Sequence, residues 1–361
     1  MYRKGIILSS ALTLLLVGCW DERLYKNSSV VTLVGINGNI GDYTGYYAYS
    51  NITENQSEIM IIEANGMSPR DVRSNADLKI DQTLDLSELS TILISADTVK
   101  SPLYDALDIY FRDPQNPISI KIAITDGDVK PYIELTKELA ESAGGYYQRF
   151  IESTEHNTIY PKLDLQTVGS MLFEDTKDIA LPYISLNEDG KQAKVAGVAL
   201  FSGQIFTGKV LTPKQSLIML LLLNQASQHA RLTYMWTTNG REMPITSEVI
   251  HVKRKWNVHE KLKKITMDYT IEIEVDEFAH DHLYKENILQ DVQNMIQEKL
   301  QAEFQEVLQI LQAYKSDTLG IGRYLRAYHP KMFKEEWHNE YASLQLEPKV
   351  KIKIIRTGVL R

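Results

Sequence analysis

Apolar and polar residues alternate in three segments of the C-terminal half. Over 265–276 the polar positions carry threonine, aspartate and glutamate, which predicts a strand with one buried face and one acidic face. Over 250–258 and 350–354 lysines fill polar positions instead. Opposite charges on neighbouring strands are favourable and like charges are not. We therefore expect the acidic strand between the two lysine-bearing strands, with an antiparallel hairpin turning at 259–262.

A helical period follows the acidic strand. Apolar residues recur every three or four positions over 289–314, which predicts a helix over 286–314, roughly 43 Å long. Its apolar stripe is expected to pack across the sheet. A coiled-coil partner is the alternative, although the stripe spans only about four heptads. Ser316 and Asp317 are expected to cap a second helix that continues through Tyr324.

The N-terminal half mixes strands with short helices. The alternating isoleucines of 118–124 predict a strand buried on one face. Ser68 followed by Pro69 predicts a helix start. The other predicted elements are strands over 30–35, 46–50, 59–62 and 91–95 and a helix over 102–111.

The polar, turn-like segment 187–194 is the predicted boundary between two regions. After it, 195–210 reads as a hairpin that turns at Ser202 and Gly203. Thr212 and the proline that follows it then begin a leucine-rich helix that runs to about residue 226.

These elements predict a multidomain α+β protein with antiparallel and mixed sheets, packed helices and a long C-terminal helix against a sheet. The division is residues 1–18 as a signal peptide, 19–190 as an N-terminal α+β domain and 191–361 as a C-terminal α+β region. Within the last, 191–230 holds the hairpin and leucine-rich helix, and 231–361 holds the sheet and long helix.

The N-terminus has the layout of a secretory signal. Arg3 and Lys4 precede a mostly apolar run of about 12 residues, after which Leu16, Gly18 and Cys19 stand where a lipoprotein signal peptidase would read them. The run is shorter than the about 20 apolar residues of a membrane-spanning helix. The alternatives are an ordinary secretory signal and a buried structural thiol at the cysteine.

Cys19 is the only cysteine of the chain, so no intramolecular disulfide can form. Cleavage before it would leave a mature N-terminal cysteine that carries an S-diacylglyceryl group, with its amine free or acylated. Each buried CH₂ contributes about 0.8 kcal/mol, and two acyl chains anchor far more durably than one. The lone thiol therefore predicts a lipid-anchored protein.

The charge composition limits the classes of partner that the protein can bind. The net charge is −8, and removal of the basic leader would make the chain more acidic. An acidic body argues against nucleic acid and against electrostatic adhesion to anionic lipid. The membrane contact should therefore be the lipid itself.

The sequence contains no recognised catalytic motif: no Walker loop, no nucleophile elbow and no H-E-x-x-H. His280 and His282 have ligand-like spacing, but polar residues are expected at that strand-to-helix junction and no third ligand is near in sequence. Asp175 and Asp178 are expected to be solvated surface carboxylates. The prediction is a non-enzymatic protein with no catalytic residues, no metal and no cofactor; the residues do not indicate a ligand site.

The string Gly18-Cys19-Trp20-Asp21 resembles the start of the C-subunit family of spore germination receptors, the Ger(x)C lipoproteins of endospore-forming bacteria. In that family an Asp often follows Gly-Ile, and this chain has Asn37. The resemblance spans the chain, and its other similar positions are Gly35-Ile36, 196–201, Gly208, Leu211, Asp317, 319–322, Tyr328-His329-Pro330, Trp337 and 354–358.

The resemblance implies a subunit of a nutrient germinant receptor, anchored by lipid on the extracytoplasmic face of the spore inner membrane. Its partners would be a multi-pass A-type subunit and a transporter-like B-type subunit. A residue-level role carries over only for Cys19, the lipidation site; Gly18, Trp20 and Asp21 match the motif, and Trp20 suits a membrane interface. A solute-binding envelope lipoprotein working with a transporter is the alternative function. An envelope hydrolase is disfavoured because no nucleophile motif is present.

Overall fold

The computed structural model describes residues 28–356 apart from 54–55, 139–141, 239, 280–282 and 284. These residues form thirteen strands and nine α-helices in two mixed sheets. The predicted α+β class is confirmed.

The first sheet has nine strands, in the order β3-β2-β1-β5-β6-β7-β8-β9, with β4 paired to the start of β1. Six helices accompany it. The elements are β1 (Ser28–Asn39), β2 (Asp42–Thr53), β3 (Gln56–Gly66), α1 (Pro69–Asp77), β4 (Thr83–Asp85), β5 (Thr91–Ser95), α2 (Leu103–Arg112), β6 (Lys121–Thr125), α3 (Lys130–Leu135), α4 (Ala143–His156), α5 (Leu165–Leu172), β7 (Ala180–Leu186), β8 (Ala193–Ser202), β9 (Ile205–Leu211) and α6 (Pro213–Leu222).

Strand β6 differs from its prediction. It begins at Lys121, and Ile122, Ala123 and Ile124 are all buried, whereas Ile118 lies before the strand with 61% of its surface exposed. Strands β5, β6 and β7 are parallel neighbours, and helices cover both faces of such strands. Helices α3, α4 and α6 pack on one face, and α1, α2 and α5 pack on the other. The expectation of a strand buried on one face was therefore wrong.

The predicted hairpin over 195–210 is confirmed as β8 and β9, which turn at Ser202 and Gly203. Strand β8 also pairs antiparallel with β7 across the turn at 187–192, so the hairpin extends the nine-stranded sheet. The division of the chain at residue 190 stays a prediction. Helix α6 begins as expected, with Thr212 and Gln215 forming a capping box, but ends at Leu222. Asn224 takes a left-handed conformation, with φ +58°, soon after the last turn.

The second sheet has four strands in the order β10-β11-β12-β13. The acidic strand β12 lies between the two lysine-bearing strands, antiparallel to β11 and parallel to β13, which confirms the order and the hairpin predicted from charge. Asp268 stands opposite Lys255 on one side and Lys349 on the other. The remaining elements are β10 (Arg231–Thr238), β11 (Arg241–His259), β12 (Lys264–Phe278), α7 (Glu286–Ala313), α8 (Ile321–Tyr328), α9 (Trp337–Ser343) and β13 (Gln345–Arg356).

The long helix α7 packs across this sheet, as its apolar stripe predicts. The ring of Phe304 meets the ring of Tyr269 on β12 edge-on, with centroids 5.0 Å apart. Gln297 and Gln301 of α7 accept hydrogen bonds from the backbone N–H groups of Ile352 and Val350 on β13, at 3.3 and 3.2 Å. Helix α7 therefore covers one face of the sheet and also engages its last strand.

The two sheets share one core. A single cluster of buried apolar side chains includes Tyr147 of α4, Leu220 of α6, Tyr269 of β12 and Phe304 of α7. Among the residues that the structure describes, no helix has the length and apolarity needed to cross a membrane.

Candidate functional site

A polar cluster surrounds the carboxylate of Asp317, which is fully buried in the segment between α7 and α8. Ser316 and Asp317 were expected to cap the next helix; α8 begins later than that, at Ile321, after Gly320 in the left-handed region. Asp317 still caps that helix. Its Oδ1 accepts from the N–H of Ile321 at 2.9 Å, and its Oδ2 accepts from the N–H of Gly322 at 2.6 Å.

Trp337, at the start of α9, completes this carboxylate's set of donors. Its indole N–H donates to Oδ2 of Asp317 at 2.8 Å. The approach is close enough that a Cβ on Gly322 would lie 2.5 Å from the indole nitrogen. Only a residue without a side chain fits there. Asp317, Gly322 and Trp337, which are separate matches of the family resemblance, therefore form one constellation.

Asp178 joins this constellation to the first sheet. It precedes β7, and its Oδ2 accepts from the backbone N–H of Asp317 at 2.6 Å. Its own N–H donates to the carbonyl of Asp317 at 3.0 Å. Its Oδ1 accepts from the N–H of Gly203 in the β8–β9 turn, at 2.7 Å. One buried side chain therefore fixes three segments that are distant in sequence. Asp178 is only 2% exposed, so the expectation of a solvated carboxylate was wrong.

The protonation of the cluster follows from its burial. Desolvation raises the pKa of Asp317 to about 7, although the N–H donors around it act in the opposite direction. The ring of His338 lies 2.9 Å from Oδ1 of Asp178, and this hydrogen bond raises the histidine's pKa. Tyr341 is also fully buried, and burial raises the pKa of its phenol well above the ordinary value.

The cluster suits a structural role better than catalysis. Both oxygens of Asp317 are occupied by N–H donors from Ile321, Gly322 and Trp337, and the carboxylate has no exposed surface at which a substrate could be met. Within the described ranges, no group of three or more His, Cys, Asp or Glu side chains is placed to hold a metal ion. The arrangement holds the first sheet, the end of α7 and helices α8 and α9 together.

A second feature lies beside this cluster. Arg323 of α8 forms a two-pronged ion pair with Glu174, and its backbone N–H donates to the carbonyl of Thr176 at 3.0 Å. Lys177 and Arg323 both line a surface pocket of about 330 Å³. Desolvation by its surroundings lowers the pKa of the lysine.

The remaining predicted residues are dispersed. Gly18, Cys19, Trp20 and Asp21 lie outside the described residues, as do His280 and His282. Asn37, at the end of β1, donates to Asp128 at 2.6 Å and accepts from the N–H of Val129 at 3.1 Å. Its side chain therefore orders the approach to α3, far from Asp317 in the sequence.

Sequence reasoning missed Asp178 and His338. The two side chains are 160 positions apart, so no local spacing could pair them. The one available signal was that several residues between 317 and 337 match the family resemblance. Those matches mark the stretch as important, but they do not indicate that Asp178 is its contact.

Comparison with known proteins covers nearly the whole chain. Residues 21–186 match the family described as spore germination protein N-terminal domain, and residues 196–358 match the family described as spore germination B3/GerAC like, C-terminal. A protein of Bacillus subtilis strain 168, YfkR, which is described as a spore germination protein, is 21% identical over 98% of this chain and 96% of its own. The superposition on the crystal structure of the GerBC protein covers 89% of this chain and 97% of the GerBC chain, with a TM-score of 0.52 and 14% identity. This likeness shows a shared fold.

Proposed function

Because the chain belongs to the GerAC-like family of spore germination proteins, we propose that it is a non-catalytic, lipid-anchored subunit of a nutrient germinant receptor in the spore inner membrane. The observation that carries the proposal is the order in which these segments follow one another along the chain. A segment with the layout of a lipoprotein signal ends at Cys19. The first family region begins two residues later, at residue 21, and the second runs from 196 to 358.

The anchor is supported by the chain's own chemistry. Cys19 follows Leu16 and Gly18 at the positions that a lipoprotein signal peptidase requires. The full chain carries a net charge of −8, and loss of Arg3 and Lys4 with the leader leaves a more acidic body, which disfavours adhesion to anionic lipid through charge. Two acyl chains on one sulfur would hold such a body at a membrane without any basic patch.

A role without catalysis agrees with the best-built polar cluster. The carboxylates of Asp317 and Asp178 accept hydrogen bonds from fixed backbone and side-chain donors, so their oxygens already have partners. The cluster holds segments in place, and neither carboxylate is free to act as a nucleophile or general base.

The partners we propose are the multi-pass A-type and transporter-like B-type receptor subunits. A tether confines the folded body to a thin layer beside the membrane and raises its effective concentration toward partners there. Modest contacts would then suffice for assembly.

The test is a spore that carries Cys19→Ala. We expect the protein to be lost from the inner-membrane fraction and germination with nutrients to fail. Mass spectrometry of the wild-type protein should find a diacylglyceryl group on the sulfur of Cys19. Trp20→Ala is the matched control, because it changes the neighbouring residue and leaves the thiol intact.

A third strain separates anchoring from the thiol itself. Here the leader through Cys19 is replaced by an unrelated membrane-spanning helix in the same orientation, and germination should return. Normal germination of the Cys19→Ala spore with its protein still on the membrane would refute the proposed anchor. Membrane retention of the wild type with an unmodified thiol would refute it too.

A further inference from the structure

A pocket of about 330 Å³ opens where α8 meets β11 and the segment before β7. Its volume is at the lower end of the range typical of small-molecule sites. Its wall combines three cationic and three aromatic side chains: Lys177, Arg254, Arg323, Trp256, Tyr324 and Tyr328.

The charges in this wall are unbalanced. None of the residues that line the pocket is acidic, although the protein as a whole is acidic. Among the described residues, Lys177 makes neither a hydrogen bond nor an ion pair, and Arg254 donates only to the carbonyl of Leu222, at 3.2 Å. Arg323 is the one cation of the three that has a carboxylate partner, Glu174.

Lys177 is half-buried, and its stem packs against Gly320. Gly320 leaves room for its methylene stem, since a Cβ there would lie 3.1 Å from Cδ of the lysine. An ammonium group that has lost water without gaining a counter-ion is in an unfavourable state. The lowered pKa of Lys177 has this desolvation as its main cause; Arg323 and Arg254 add to it, and the more distant charges of Glu174 and Asp317 only partly oppose it. A bound anion would relieve both effects.

The aromatic side chains form a connected wall. The rings of Trp256 and Tyr324 meet edge-on with centroids 5.1 Å apart, and Tyr324 lies 5.1 Å from Tyr328. The guanidinium of Arg254 stacks over Trp256 at 4.9 Å. Flat groups of this kind favour a flat apolar body.

Two other pockets among the described residues lack this combination. The pocket beside α2 pairs Arg70 and Arg112 with Asp108 and Asp113, so its charges are balanced. The groove between α7 and β13 includes Glu298 and Glu347 beside a single lysine. Of these three pockets, the one at Lys177 combines an excess of positive charge with several aromatic rings.

We propose that the pocket lined by Lys177, Arg254 and Tyr324 binds a small organic carboxylate that has a flat apolar body. The carboxylate pairs with the lysine and the arginine, and the flat body lies against the aromatic wall. The proposal depends on neither the lipid anchor nor the receptor assignment, because it rests on the pocket alone.

The experiment titrates the full-length protein in detergent micelles with benzoate and follows binding by calorimetry. Benzamide serves as the neutral analogue and inorganic phosphate as an anion without a ring. We expect saturable binding of benzoate with a dissociation constant on the order of 1 mM. Benzamide and phosphate should each bind at least tenfold more weakly.

Variants locate the binding. Lys177→Gln and Arg254→Gln should each weaken benzoate tenfold or more, with the melting temperature recorded to verify folding. Lys209→Gln is the matched control, because it makes the same chemical change at a lysine outside the pocket, over the ring of Tyr314. Tyr324→Leu should weaken benzoate and leave the weak binding of phosphate unchanged.

Absence of saturable benzoate binding overturns the proposal. Equal binding of benzamide, or unchanged affinity in folded Lys177→Gln and Arg254→Gln, also overturns it. If phosphate binds as tightly as benzoate, the aromatic wall does not contribute to recognition, and the proposal as stated is refuted.

Discussion

The indole N–H of Trp337 donates to the buried carboxylate of Asp317 at 2.8 Å, across twenty positions of sequence. The same oxygen accepts from the backbone N–H of Gly322. Since a neutral amide offers one oxygen and adds two donors, this geometry requires a carboxyl group. The requirement can be tested by replacing the carboxyl alone.

Asp317→Asn should lower the free energy of unfolding by about 1–3 kcal/mol, because an amide NH₂ would face a buried N–H donor. Denaturation in urea measures the loss. Asp175→Asn is the matched control: Asp175 has 84% of its side chain exposed and should change stability by no more than about 0.5 kcal/mol. Equal stability of the two variants would contradict the structural role of Asp317.

His338 should make stability depend on pH. Its pKa is raised by the hydrogen bond to Asp178, with Asp317 adding to the rise and Lys315 and burial opposing it. The folded state therefore binds the proton more tightly than the unfolded state. The resulting stabilisation is complete below the unfolded pKa of about 6.5 and is lost as pH rises through the higher folded value.

The measurement compares the wild type with His338→Gln between pH 5 and pH 9. The difference in free energy of unfolding should shrink as pH rises, by no more than about 1 kcal/mol, because a third of the ring is exposed and solvent screens the pair. A difference that grows with pH would refute the assignment.

Gly322→Ala tests the close approach of α8 to Trp337. The added Cβ would meet the indole at 2.5 Å and the carbonyl oxygen of Thr176 at 2.9 Å. We expect a loss of about 1–3 kcal/mol in the free energy of unfolding, as for overpacked cores. Gly190→Ala makes the same chemical change at a turn with open space and φ +71°. It should cost only about 1 kcal/mol, from its left-handed backbone.

The order of the second sheet can be tested through charge. Asp268→Lys would place three lysines in a row across β11, β12 and β13, with Lys255 and Lys349 on either side. We expect a loss of about 1 kcal/mol in the free energy of unfolding, and the loss should diminish at high salt. Asp268→Asn separates this repulsion from the hydrogen bond that Asn257 donates to Asp268.

Asp276→Lys supplies a control of the opposite sign. Burial, Glu248 and Glu274 raise the pKa of Asp276, so this aspartate lies in an acidic environment. A lysine there should leave stability unchanged or increase it. A similar loss at both positions would show that strand pairing does not depend on the charge pattern.

Local patterns predicted much of the second sheet. Charge alternation is a local property, and in β11, β12 and β13 it was sufficient to order three strands because each exposes one face. In the first sheet the pattern of β6 predicted that a strand forms but did not predict that both of its faces are buried. The isoleucines of a strand covered on both faces look the same, in sequence, as those of a strand covered on one.

The Asp317 cluster shows where local reasoning fails. Asp178 stands in a polar stretch beside Asp175, and the two residues look alike in the sequence. They differ in burial because the turn at Gly203 and the segment after α7 enclose Asp178, whereas Asp175 stays in solvent. That enclosure depends on the tertiary fold, which residue spacing does not encode.

The two glutamines of α7 have a consequence for assembly. Val350 and Ile352 stand on the last strand of the second sheet, where free N–H groups would invite another chain to add a strand. Gln301 and Gln297 already occupy those donors. A neighbouring subunit that added a strand along this edge would first have to displace the glutamine side chains of α7. We therefore expect a partner to bind this edge by surface docking rather than by β-augmentation.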